Sequence, residues 1–327
     1  MSKGINIRNV VVRWLTAVCL MALMPSFAMA QVTYQRADST KICKLLRQAD
    51  RQTTTLWIAR QFMGVPYVAH TLEVNDQEQL VVNTRQLDCT TLVETVTALK
   101  LCIQHDKRTW NDYLTVLRSL RYRQGRLDEY PSRLHYFTDW IIDKQLMGFV
   151  SEVQQPNPPF TAVQKIAVSY MSEHPQAYQA LKAHPEFVPV IRQQEKALTG
   201  KTYRYIPKTA VRNTKLLRQT IHDGDIIAIT CNKRGLDIAH LGFAVWRNDG
   251  LHLLNASLLH KKVVEEPMTL YLFLFCLVWW AFILFLSVPF SHSVVSDSLQ
   301  PHELQHARPP RPSPTPGVPS DSRPSSP

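Results

Sequence analysis

The sequence has few of the residues that build metal sites or dense disulfide frameworks. Its 327 residues include six cysteines, and between residues 31 and 269 there are four, with no CxxC pair and no HxxxH pair. Zinc sites need such closely spaced ligands, and small exported domains held by disulfides are much richer in cysteine. We therefore expect neither a bound metal nor another cofactor, and a single reactive thiol fits this count.

A basic stripe interleaved with aromatic residues is also missing, although the formal net charge is +11. The basic excess lies in the body of the chain, because three acidic residues balance the three arginines that follow residue 290. Nucleic-acid-binding domains concentrate their charge in patches and carry recognisable motifs. The pattern here predicts a solvated basic surface and no nucleic-acid partner.

Residues 1–30 have the three parts of a secretory signal peptide. Basic residues precede an apolar run at 14–24, and small residues flank Met29 at the expected cleavage position. The run is shorter than the roughly 20 residues that span a bilayer, which favours cleavage over an uncleaved membrane anchor. We therefore expect export to the periplasm.

A second apolar run, residues 270–290, contains no charge and is long enough to span a bilayer. It predicts a C-terminal apolar helix and, through that helix, attachment of the protein to a membrane. Residues 291–327 are rich in proline and serine, are expected to be disordered, and resemble a translated mammalian interspersed repeat. The junction between such a tail and the domain at residues 31–269 indicates a chimeric sequence. The domain is then expected to lack its final strand.

The most informative segment of that domain is the octapeptide at residues 87–94. Asp88 is a residue type that caps helices, and Cys89 would begin the buried face of the helix that follows. Because a helix start favours an anion, a thiolate there would have a lowered pKa and could act as a nucleophile. Cys89 is therefore the candidate nucleophile, although a lone buried cysteine is more often a small core residue.

Three apolar segments near the end of the domain, at 224–230, 238–246 and 251–257, predict consecutive strands. The second contains His240 and the third contains Asn255. Cysteine, histidine and asparagine therefore follow one another in the order of a papain-like triad. This order argues for catalysis more strongly than any one of the three residues does.

The expected hairpin separates Asn255 from His240, its predicted partner in this triad. A two-residue turn at 249–250 would place Ala244 opposite Asn255. His240 would then lie about four residues away from Asn255 along the ladder, at roughly 3.3 Å per residue. A bulge, strong twist or a different turn is needed to bring the two side chains together.

The first half of the domain is predicted to be mainly helical. Residues 40–62 have the apolar spacing of one amphipathic helix, and residues 110–150 predict further helical pieces interrupted at Gly125 and Pro131. Together with the later strands, this pattern predicts an α+β fold.

Five segments together resemble the NlpC-type cysteine amidases and peptidases. They are Gly64–Tyr67, Asp88–Val93, Gly224–Ile227, His240–Phe243 and Leu254–Ser257. More narrowly, residues 130–141 resemble the insert of the N-acetylmuramoyl-L-alanine amidase-like family. The resemblance covers about residues 40–270.

This resemblance implies a papain-like core, in which the nucleophile helix packs on an antiparallel sheet and a helical insert is added. It also implies cleavage of the amide between N-acetylmuramic acid and L-alanine in peptidoglycan fragments (muropeptides). Cys89 would be the nucleophile, His240 the base and Asn255 the residue that orients the base. Tyr67 matches a tyrosine that lies near the nucleophile and the oxyanion in this superfamily.

The residues expected to line the substrate cleft are Asp88 and three members of the insert, Arg133, His135 and Tyr136. The planar fork of arginine suits a substrate carboxylate. The alternative interpretation is a solvated helix face that covers Tyr136 and Trp140.

Two other functions remain open on the sequence alone. The same chemistry would serve a D,L-endopeptidase that cuts further along the stem peptide. A domain without its final strand would instead be a catalytically inactive wall-binding or membrane-anchored module.

Overall fold

The computed structural model describes residues 32–153, 158–231, 233–276 and 283–287. The predicted signal peptide and the proline- and serine-rich tail lie outside these residues. The helices are α1 (Arg36–Gln48), α2 (Thr55–Arg60), α3 (Cys89–Gln104), α4 (Trp110–Arg121), α5 (Phe137–Leu146), α6 (Tyr170–Glu173), α7 (Gln179–Ala183), α8 (Phe187–Leu198), α9 (Lys215–Thr220) and α10 (Leu270–Cys276). The strands are β1 (Val32–Thr33), β2 (Leu80–Val81), β3 (Ser151–Val153), β4 (Ala162–Lys165), β5 (Thr202–Tyr205), β6 (Ile226–Thr230), β7 (Ile238–Trp246), β8 (Leu251–Ser257), β9 (Lys262–Glu265) and β10 (Ile283–Ser287).

The main sheet has six strands in the order β3-β10-β6-β7-β8-β9, and neighbouring strands run antiparallel. Helix α3 packs against β7 and β8, and its residues 91–103 are all buried. Because the sheet covers one side of α3 and the helices α1, α2 and α4 cover the others, this helix lies at the centre of the core. The predicted α+β class is confirmed, and the helix that begins at Cys89 lies on an antiparallel sheet.

The single helix predicted over residues 40–62 is divided into α1 and α2. Asp50 accepts hydrogen bonds from the backbone N–H of Gln52 and from the hydroxyl of Thr53, each over 3.0 Å. Thr54 then caps α2 by accepting from Trp57 N–H over 3.1 Å. Side chains of this type compete with the helix for backbone groups, which ends one helix and begins the next.

The β7–β8 hairpin turns one residue earlier than the sequence predicts. Arg247 N–H donates to Gly250 O over 2.9 Å, and Gly250 N–H donates to Arg247 O over 3.3 Å. The turn residues are therefore Asn248 and Asp249. The amide of Asn213 donates to Asn248 O over 3.0 Å, so a contact from outside the hairpin holds this turn in place.

The earlier turn changes the register of every residue in the hairpin. Ala244 pairs with Leu253, so the predicted pairing of Ala244 with Asn255 is wrong. Continued by one residue, this register places Gly242 opposite Asn255. His240 then lies two residues further along instead of four, which is close enough for a side-chain contact across the strands.

The apolar run at residues 270–290 is not one helix. Its first part forms α10, whereas Ile283–Ser287 form β10, which pairs with β6 on one side and with β3 on the other. The predicted C-terminal apolar helix was wrong, because apolar composition alone does not distinguish a buried helix from an interior strand. The expected loss of a closing strand is not observed either, since β10 covers the edge of β6. No helix in the described part of the chain is long and apolar enough to cross a membrane.

Candidate active site

The start of α3 holds Cys89 as the sequence predicts. Asp88 accepts a hydrogen bond from Thr91 N–H over 2.8 Å, and the Thr91 hydroxyl oxygen accepts from Asp88 N–H over 2.9 Å. This reciprocal capping box fixes the first turn of the helix. Cys89 is the first residue of that turn and is half-buried.

The electrostatics of this thiol differ from the sequence-based expectation. Burial raises the pKa of Cys89 to about 12, and the adjacent Asp88 carboxylate raises it further, against smaller lowering effects from the backbone of Leu241 and from Thr90. The predicted lowering of the pKa by the helix start is therefore outweighed. The resting residue is a neutral thiol, which needs a base to become a nucleophile.

His240, the predicted base, lines the same cavity of about 330 Å³ as Cys89. Its Nε2 is 2.9 Å from Asn255 Oδ1, so the structure brings together the histidine and asparagine that the sequence predicts as partners. Burial lowers the pKa of His240 below its ordinary value. The imidazole is therefore neutral near pH 7 and can accept a proton.

Asn255 is fully buried and contacts a residue that sequence reasoning missed. Its Nδ2 donates to Glu266 Oε1 over 2.9 Å, and Glu266 is also fully buried. Glu266 directly follows β9, two strands away from His240 in the sheet order. The only local signal for this residue in the sequence is the adjacent pair Glu265 and Glu266. The pair does not reveal which of the two carboxylates is buried.

Tyr67 lies close enough to Cys89 for the two side chains to interact electrostatically. Its backbone bridges to Leu87, and its N–H donates to Lys261 O over 2.9 Å. Burial raises the pKa of Tyr67 to about 12, with smaller contributions from Cys89 and Asp88. The phenol is therefore a hydrogen-bond donor at neutral pH, as an oxyanion-stabilising group must be.

The three predicted insert residues line the same cavity as Cys89 and His240. Arg133 is only 6% exposed. Its Nη2 lies 3.6 Å from Glu73 Oε1, and its Nε lies 3.5 Å from Glu78 Oε1. Two carboxylates of the protein therefore lie near Arg133, but within the described residues neither of these two nitrogens has a hydrogen-bond partner. Contact of Arg133 with a substrate carboxylate stays a prediction.

The other two insert residues make internal hydrogen bonds. Tyr136 donates from its hydroxyl to Glu195 Oε1 over 2.7 Å, and His135 Nε2 donates to Tyr130 O over 2.9 Å. These residues precede or cap α5 and do not form a solvated helix face. Trp140 is nearly fully buried, as the alternative interpretation expected.

The insert is attached directly to the strand that carries His240. Asp237 Oδ2 accepts from both the backbone N–H and the hydroxyl of Thr138, each over 2.8 Å. Thr138 lies in the first turn of α5, and Asp237 immediately precedes β7. The two walls of the cavity therefore share a buried connection.

His135 is expected to make the fold sensitive to acid. Burial lowers the pKa of His135 to about 3, and the Arg133 charge contributes in the same direction. The unfolded chain, with a histidine pKa of about 6.5, binds more protons between these two values. The free energy of unfolding should therefore fall as the pH falls from about 6.5 to about 3.

Urea unfolding of His135→Gln at a series of pH values tests this expectation. The variant should lose less stability than the wild type across the same pH window. His184→Gln, at a side chain that is 44% exposed, is the matched control and should follow the wild type. Equal pH dependence of wild type and His135→Gln would contradict the assignment.

Within the described residues, no cluster of three or more His, Cys, Asp or Glu side chains could hold a metal ion. Cys43, Cys89, Cys102, Cys231 and Cys276 are all free thiols.

A family model described as N-acetylmuramoyl-L-alanine amidase-like matches residues 57–274. The chain belongs to this family. The match includes every predicted site residue, from Tyr67 to Asn255. The protein is therefore an amidase-like hydrolase of a family that acts on peptidoglycan.

Solved structures of similar proteins agree with the family assignment. An N-acetylmuramoyl-L-alanine amidase from Bacteroides uniformis ATCC 8492 is 39% identical, with a TM-score of 0.67, and the match covers 72% of this chain and 97% of that one. A proposed xylanase from Bacteroides fragilis is 40% identical, with a TM-score of 0.65, over 70% of this chain and 98% of that one. A Legionella pneumophila protein at 22% identity shares the fold, with a TM-score of 0.60 over 77% of this chain and 94% of that one. None of the curated proteins matches the chain significantly.

Proposed function

We propose that this amidase-like protein is a cysteine amidase with a papain-like core. It would cleave the amide between N-acetylmuramic acid and L-alanine in peptidoglycan fragments. One observation carries this proposal. Cys89, at the start of a capped helix, and His240, which is hydrogen-bonded to Asn255, line one cavity. A signal peptide at residues 1–30 would bring the enzyme to the periplasm, where such fragments occur.

The reaction would begin with proton transfer from Cys89 to His240 as the sulfur attacks the lactyl carbonyl carbon. Because Nε2 of His240 donates to Asn255, the other ring nitrogen, Nδ1, is the one left to accept this proton. The backbone N–H of Cys89 and the hydroxyl of Tyr67 would stabilise the oxyanion. His240 would then protonate the departing L-alanine amine, and water would hydrolyse the thioester.

The carboxylates in the cavity argue against glycoside hydrolysis, although one similar structure is described as that of a proposed xylanase. Glycosidases need two carboxyl groups that are free to act as acid and as base or nucleophile. Each carboxylate lining this cavity is already engaged by the protein: Glu73 by Arg133, Asp88 by Thr91, Glu94 by Arg121 and Asp237 by Thr138. A thiol and a neutral imidazole are better suited to acyl transfer.

Product analysis of defined muropeptides tests the proposal. The purified full chain would be incubated with an N-acetylmuramoyl tripeptide and, separately, with the free tripeptide. Release of the intact tripeptide from the sugar, seen by mass spectrometry, is the expected result. Cleavage inside the tripeptide would identify a D,L-endopeptidase instead. Failure of a folded protein to cleave either compound would contradict both activities.

A further inference from the structure

We propose that Glu266 is a positioning residue, which fixes the amide of Asn255 and thereby the tautomer of His240. This inference rests on the proposed function only insofar as His240 acts as the base. Glu266 does not line the cavity that contains Cys89 and His240. It would act through Asn255 and without touching the substrate.

Every polar group of Glu266 has a partner. Oε1 accepts from Asn255 Nδ2 over 2.9 Å, and Oε2 accepts from His260 Nε2 over 3.0 Å. The backbone N–H donates to Leu253 O over 2.8 Å, and the backbone carbonyl accepts from His252 Nδ1 over 2.9 Å. The carboxylate is therefore fixed in position although it is fully buried.

The chemistry of these contacts is directional. A carboxylate only accepts hydrogen bonds, so it must face the NH₂ group of Asn255 and not the carbonyl oxygen. Oδ1 of Asn255 is then left to face His240, and because it only accepts, Nε2 of His240 must carry the proton. Nδ1 is thereby left with the lone pair that the reaction needs.

Without this constraint, the amide of Asn255 could rotate by half a turn. Its NH₂ group would then donate to Nε2 of His240, and the proton of the neutral ring would move to Nδ1. That tautomer cannot accept a proton from Cys89 through Nδ1. A triad held in the wrong tautomer loses most of its activity even when its geometry is intact.

His260 connects this buried carboxylate to the surface. Its side chain is 34% exposed, and among the described residues only its ring N–H and the amide of Asn255 donate hydrogen bonds to the carboxylate of Glu266. This hydrogen bond holds Oε2 of Glu266 in place, which leaves Oε1 to accept from Asn255.

The test begins with Glu266→Gln, which keeps the shape of the side chain but can both donate and accept. We expect kcat/KM on the muropeptide to fall about 10- to 100-fold, as for other residues that orient a functional side chain, with the loss in kcat and not in KM. ¹⁵N NMR of His240 should change from the Nε2–H tautomer to a mixture. The matched control is Glu265→Gln, since Glu265 pairs with Arg60 and Arg247 and does not contact Asn255. It should leave both kcat and the tautomer unchanged.

A rescue experiment separates positioning from a merely structural role. Asn255→Asp places a second carboxylate against Glu266, and the two cannot share a hydrogen bond while both are ionised. Combining Asn255→Asp with Glu266→Gln supplies a donor at residue 266 and an acceptor facing His240. The double variant should therefore be more active than Asn255→Asp alone.

Two results would overturn the inference. One is a Glu266→Gln variant that keeps the wild-type kcat and the Nε2–H tautomer. The other is a double variant that is no more active than Asn255→Asp. The NMR measurement needs no substrate, so it distinguishes failure of this inference from failure of the proposed function.

Discussion

Replacing Cys89 with alanine should abolish nearly all hydrolysis of muropeptides. The sulfur is the atom that would form the thioester, and Cys89 is the only described cysteine that lines the cavity of about 330 Å³, whereas Cys231 lines a separate cavity that also reaches His240. Loss of the nucleophile from a triad typically lowers kcat by at least about a thousand-fold. Release of the stem peptide, followed by mass spectrometry, measures the effect.

Stability provides the internal control for this variant. Cys89 is half-buried and caps no element with its side chain, so thermal unfolding of Cys89→Ala should be close to that of the wild type. Cys43→Ala, at another half-buried free thiol, should retain full activity. Hydrolysis by Cys89→Ala at a rate close to that of the wild type would mean that the mechanism is wrong.

Replacing His240 with alanine should have an effect of similar size. Because the resting thiol has a raised pKa of about 12, almost no thiolate forms at neutral pH without a base. The variant should therefore lose both muropeptide hydrolysis and rapid alkylation of Cys89 by iodoacetamide. His222→Gln, at a side chain that is 70% exposed, should change neither rate.

The pH profile offers a second measurement on His240. Burial lowers the pKa of its imidazole below the ordinary value of about 6.5. Activity should therefore persist below pH 6.5 and fall only as the pH drops through this lowered pKa. Removal of His240 also leaves the buried Asn255 Oδ1 without its partner, so circular dichroism must first show that the variant is folded. Thiol-dependent turnover by a folded His240→Ala would exclude this histidine as the base.

Local signals in the sequence were sufficient to predict that Cys89 begins a capped helix. Asp88 and Thr91 form a capping box within four residues, and apolar spacing marks the helix that follows. The bounds of β7 and β8 were also predictable, because alternating apolar segments between turn residues specify strands. These features depend on neighbours in the chain, which a single sequence displays.

The remaining errors concern contacts between residues far apart in the chain. The hairpin turn is displaced by one residue, and the amide that holds Asn248 comes from Asn213, 35 residues earlier. The proposed role of Glu266 depends on its hydrogen bond with Asn255, which lies on another strand. The strand at 283–287 lies between β3 and β6, which are distant segments of the chain. Hydropathy indicates that such segments are buried, but it does not indicate what buries them.

The connection between Asp237 and Thr138 sets how a ligand would enter. The insert and the strand that carries His240 cannot separate without breaking two buried hydrogen bonds to one carboxylate. At this side of the cleft, an incoming ligand would therefore meet two segments that are already held together, and little of its binding free energy would be consumed in ordering them. Association should follow a single kinetic phase, governed by diffusion and orientation and not by closure of a lid. An entrance of this kind would select ligands by their width at the binding step, before the reaction itself.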